Sequence, residues 1–137
     1  MPAEILEHCN TIEECYEFML AYAAKGHPSD QGSNSGAQIR EFLQRAANAI
    51  AALVEACSKV VKDERLKPAE KYNAFFAVID RDARDSLVAI DLVLAQPSIS
   101  SQLVDNLNAS VHLRALLTDL FLVSDILSSQ LVSRQIR

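Results

Sequence analysis

The sequence predicts an all-α fold, an antiparallel four-helix bundle that becomes five helices if the last helical region breaks near residues 106–110. Three observations predict it. Apolar residues recur at steps of three and four through every long segment, the spacing that puts them on one face of an α-helix. Only 3 Gly and 4 Pro occur in 137 residues, too few for the frequent turns of an all-β protein. The 50% apolar content is dominated by Leu, Ala, Ile and Val, with no Trp, which favours helix over strand. A chain of this size buries roughly two thirds of its unfolded surface, so a single domain spanning 1–137 is expected, stable without metal or disulfide.

Thr11-Ile12-Glu13-Glu14 reads as a capping box, in which the Thr11 hydroxyl accepts from the Glu14 amide and the Glu14 carboxylate returns to Thr11. The first long helix is expected to start there, with Pro2–Cys9 forming a short turn or two before it. Gly26 followed by Pro28 supplies its stop. Residues 26–36 hold all the glycines and read as a flexible loop, with Asn34 or Ser35 capping the next helix. In that helix Ile39, Leu43, Ala46, Ile50, Leu53, Cys57 and Val60 form a heptad seam. The alanines beside it let a neighbouring helix approach closely. Asp63–Lys67 turns the chain, Pro68 opens a third helix, and Tyr72, Phe75, Phe76, Ile79, Ala83, Leu87, Ile90 and Leu94 mark its buried stripe up to Pro97. A final helical region runs from Ser98 to about Arg134, and Asn106-Leu107-Asn108-Ala109-Ser110 is its weakest stretch.

Charge and cysteine content narrow the function classes. The net charge of −5 is concentrated in Glu4, Glu7, Glu13, Glu14, Glu17 and Asp30, and the rest of the chain is balanced. An acidic N-terminal face repels phosphate backbones, so nucleic acid is not an expected partner. Acidic residues stand where an export signal would carry positive charge, and the longest uncharged run, Leu92–Val104, is too short and too polar to span a bilayer. Neither export nor membrane insertion is expected. Three cysteines without paired spacing fit a reducing compartment, giving a cytoplasmic expectation. Cys57 sits in the seam as an inert thiol, and Cys9 and Cys15 are expected to be more exposed.

Several constellations carry candidate chemistry. Glu4, Glu7, His8 and Cys9 gather carboxylate, imidazole and thiol groups of the kind that bind zinc or iron, so they are the metal candidates. A di-iron bundle needs Glu-x-x-His pairs on facing helices, and the sequence has none. No metal or other cofactor is therefore expected. Asp105, Asn108 and His112 would share a face of an unbroken helix, and an Asp–His pair can orient an imidazole as a base. No nucleophile accompanies them except Ser110. His27 reads as a loop surface residue. Asp80 with Arg84, and Arg81 with Asp85, read as helix-surface ion pairs. Gly32–Gly36 before a helix resembles a phosphate cradle only superficially, because no P-loop lysine follows.

From Leu113 to Leu127 the apolar residues cover more than the ~100° stripe of a one-sided helix. A second copy of the chain is the simplest cover for the excess. Leu113, Leu116, Leu117, Leu120, Phe121, Leu122 and Ile126 are accordingly the expected partner-binding residues, within a contact region from about Val111 to Val132. Function is expected to be a non-catalytic interaction or regulatory module that forms a homodimer and docks another protein. The alternatives are a small-ligand or metal-binding bundle, or an enzyme using Asp105, Asn108 and His112.

Overall fold

A computed structural model describes the backbone of residues 2–60 and 66–136 and the side chains of residues 3–59 and 66–129. It contains α1 (Pro2–Ala24), α2 (Asn34–Val60), α3 (Ala69–Leu94), α4 (Ser101–Ala109) and α5 (Val111–Ile136). Among the described residues there is no strand. Most of the expected turn at Asp63–Lys67 lies outside the described residues, as do the side chains of Val60, Leu131 and Val132.

Helix α1 starts earlier than the capping box suggests. Ile5 and Cys9 are buried on the same stripe as Ile12, Cys15 and Met19, so burial carries the helix back through Thr11 to Pro2. Inside a helix the Thr11 hydroxyl turns back and donates to the Glu7 carbonyl at 3.2 Å. The next boundary shifts by a residue or two. Ser33, rather than Asn34 or Ser35, caps α2 by accepting from the Gly36 amide at 2.9 Å. Gly26 (φ 71°) takes the left-handed conformation just beyond α1, as expected of a C-terminal glycine.

The connection after α1 is fastened to the one after α3. Arg40, on the first turns of α2, donates to Asp30 Oδ2 at 2.7 Å, to the Leu94 carbonyl at 3.1 Å and to the Gln96 carbonyl at 2.8 Å. The second Asp30 oxygen accepts from the Ile99 amide at 2.7 Å, and Ser98 donates to Ser29 at 2.8 Å. Beneath this clamp the buried Tyr22 hydroxyl donates to the Ile99 carbonyl at 2.7 Å. Residues 27–30, expected to be loose, are thus hydrogen-bonded to 98–101.

Helices α1, α2, α3 and the α4–α5 pair occupy four corners, with α2 diagonal to α4–α5. The cross-links give the directions. Glu14 meets Arg45 and Phe18 stacks on Phe42, so α1 and α2 run antiparallel. Ser86 reaches His112 while Tyr72 and Phe75 lie beside Leu122 and Ile126, so α3 and α5 run antiparallel too. The core between them is aliphatic, with Ile5, Ile12, Met19, Ile39, Leu43, Ile50, Leu53, Ile79 and Ile90 fully buried. Ala46, Ala47, Ala49 and Ala56 on α2 are buried, as close helix approach requires.

The last region breaks at Ser110, at the end of the stretch that looked weakest. Ser110 is extended (φ −61°, ψ 142°), closes α4 through its amide to the Leu107 carbonyl, and opens α5 by accepting from the Leu113 amide. The burial pattern explains why. Val104 and Leu107 are buried on α4, and Leu113 and Leu116 on α5. At 100° per residue, partners nine positions apart would face opposite sides of one continuous helix. Only a break lets both sets face the core.

Candidate functional site

Side by side, α3 and α5 form an apolar surface open to solvent. Tyr72 and Phe75 from α3, with Leu122, Val123 and Ile126 from α5 and Lys71 at the rim, line an apolar groove of about 250 Å³. Phe76, next to Phe75, faces the core, and adjacent helical residues point about 100° apart, so Phe75 is turned toward the groove. The sequence stripe included Tyr72 and Phe75 as core; two neighbouring aromatics were the signal that one of them could not be. Along α5, Val111, Phe121, Leu122 and Ile126 are 70%, 56%, 52% and 39% exposed.

The expected partner-binding set divides here. Leu113, Leu116, Leu117 and Leu120 are buried in the chain's own core and cannot meet a partner without unfolding it. Phe121, Leu122 and Ile126 are exposed. The periodicity of α5 identified excess apolar surface correctly but could not say which side packs inward, because apolar residues surround the helix.

Asp119 on α5 forms a carboxyl pair with Asp82 on α3. Burial, followed by the hydrogen bond and the charge of Asp82, pushes the Asp119 carboxyl up to about 7. Its Oδ2 is buried without a hydrogen-bond partner, which disfavours a charged carboxylate there and fits a protonated group. The folded chain therefore holds a proton that the unfolded chain releases near pH ~4. This contribution to stability is complete below pH ~4 and is lost as pH rises through about 7. Asp119→Asn, neutral at every pH and still able to donate to Asp82, is expected to raise the melting temperature at pH 8 and to flatten its decline between pH 5 and 8. An unchanged slope in thermal scans would show that the pair does not hold the proton.

The sequence's other candidates do not converge. His8 and Glu4 form an ordinary i,i+4 contact at 3.9 Å, Glu7 is exposed, and Cys9 points into the core. No group of His, Cys, Asp and Glu among the described residues is placed to hold a metal ion. Burial covers both Cys9 and Cys15, contrary to expectation, and raises all the thiols, Cys57 to about 12, which disfavours the nucleophilic thiolate. The break at Ser110 separates the Asp105, Asn108 and His112 set. Asn108 is buried and donates to the Met19 carbonyl, while Asp105 and His112 are exposed on different helices.

Asp105 instead lines a cleft of about 380 Å³ with His27, Ser100 and Ser101. Its hydroxyls are engaged in structure. Ser101 donates to the Tyr22 carbonyl at 2.6 Å and accepts from the His27 amide at 2.8 Å, and Ser100 caps α4 by accepting from the Leu103 amide. The His27 ring packs against Tyr22 with centroids 5.3 Å apart. These serines fasten the end of α1 to the start of α4 and cap α4, and are poorly placed as nucleophiles.

Comparison with protein-family models, with curated proteins and with solved structures finds no match. Among the described residues no helix is long and apolar enough to cross a membrane.

Proposed function

We propose that the protein is a non-catalytic interaction module of the cytoplasm that self-associates through the outer face of α5 and its junction with α3. The observation that carries this reading is the exposure of Leu122 and Ile126 on a helix whose inner face is already filled by Leu113, Leu116, Leu120 and Leu127. The groove they share with Tyr72 and Phe75 continues the apolar surface onto α3. An apolar surface shared by two helices is a feature that marks contact sites. Burying it in a partner contributes the hydrophobic term, at about 25 cal/mol per Å², that drives association. The free thiols suit a reducing compartment.

Sedimentation equilibrium at tens of micromolar is expected to give a dimer. Leu122→Asp is expected to give a monomer with unchanged helical circular dichroism, because the residue is 52% exposed and supports little of the core. A monomeric wild-type protein would sink the self-association reading, and an Asp variant that stays dimeric would move the contact away from α5.

A further inference from the structure

The outward face of α5 has a period and a charge order that specify its partner. Val111, Ala115, Thr118, Leu122, Asp125 and Ser129 recur at alternating steps of four and three, the spacing of a helix–helix seam. Most of this row is exposed, with Val111 at 70% and Leu122 at 52%, and Ala115 is half-buried. Arg114, one residue before Ala115, flanks the seam and is exposed, as is Asp125 within it. Among the described residues, no ion pair within the chain involves either.

We infer that a second copy of this chain packs on this face antiparallel, about a two-fold axis level with residue 120, with each Arg114 against the partner's Asp125. This rests on the self-association reading and adds its orientation and register. About that axis each Leu122 meets a Thr118, each Val111 meets a Ser129, and each Ala115 meets an Asp125. The alanine leaves room for the carboxylate, and Arg114 beside it supplies the counter-charge. The two-fold makes this ion pair twice. A parallel arrangement would instead bring Asp125 against Asp125 in the seam and leave Arg114 eleven positions from either carboxylate, giving repulsion without a counter-charge. Charge order on one helix face therefore selects the antiparallel pairing, and closed two-fold symmetry limits the assembly to a dimer.

Cysteine cross-linking reads the orientation directly, because the native thiols are all buried and do not compete. In the antiparallel dimer the two copies of residue 111 stand 18 positions apart along the pair, about 27 Å, far beyond the ~7 Å that a disulfide spans. Val111→Cys and Ser129→Cys proteins, mixed and oxidised, are expected to form a disulfide between the two variants, while neither forms one alone. Arg114→Asp and Asp125→Arg are each expected to weaken the dimer roughly tenfold, and the double variant to recover it. Self-linking of either cysteine variant, or failure of the mixed pair to link in a protein that sediments as a dimer, overturns the antiparallel register while leaving self-association standing. Failure of the double charge reversal to recover the dimer also overturns the pairing. A wild-type monomer at tens of micromolar removes both.

Discussion

Gly36→Ala is expected to destabilise the protein by about 3 kcal/mol, the high end for inserting a methyl group into packed structure. A Cβ on Gly36 would be forced against the Asp30 carbonyl oxygen, with the Asp30 carbonyl carbon at 2.5 Å and its Cα at 2.8 Å. The obstacle is backbone, so no rotamer change relieves it. Moving Asp30 aside would also break its bonds to Arg40 and the Ile99 amide, so the cost spreads from one methyl group to the whole clamp. Gly26→Ala is a useful comparison, since nothing lies within 4 Å of its Cβ position and only the positive φ opposes the change. Its cost is expected to be about 1 kcal/mol. Urea unfolding of the two variants checks the difference, and equal losses would mean that the close approach to Asp30 contributes nothing.

The helices were legible because their apolar stripes repeat at helical spacing, and Pro68 and Gly26 punctuate them where the chain turns. Thr11 misled because a capping box is a local signal, whereas burial of Ile5 and Cys9 against other helices is not visible in the four residues of the box. The clamp was less legible. Arg40 and Asp30 are ten residues apart across a turn, and the carbonyls of Leu94 and Gln96 come from distant sequence. The candidate surface was half legible. The excess of apolar residues on α5 can be counted, but which of Leu116 and Leu122 faces inward depends on where α1 and α3 pack.

Arg40→Ala is expected to cost about 3 kcal/mol, because it leaves a desolvated carboxylate and two carbonyls without their donor. The Asp30 side chain is only 9% exposed, and the Ile99 amide would remain as its support. Arg40→Lys is expected to recover only part of this, since one ammonium cannot fork between a carboxylate and two carbonyls. Burial pushes the Asp30 carboxyl up, but the Arg40 guanidinium and the Ile99 amide outweigh it and hold the group below the usual carboxylate range. Its contribution to stability is therefore present above the ordinary value of about 4 and is lost as pH falls through the lower, folded value. Arg40→Ala should weaken that acid dependence, leaving the part that the Ile99 amide supports. Thermal melts from pH 7 down to 2 would show it, and an unaltered acid limb would place the dependence on another group.

Ser110 acts as a rotational joint between two half-helices whose inward faces are set half a turn apart. Residues on the outer side of α5 can therefore change without altering how α4 sits against Tyr22, His27 and Met19. The fold separates the part of the chain that fixes its own architecture from the part free to acquire a new contact.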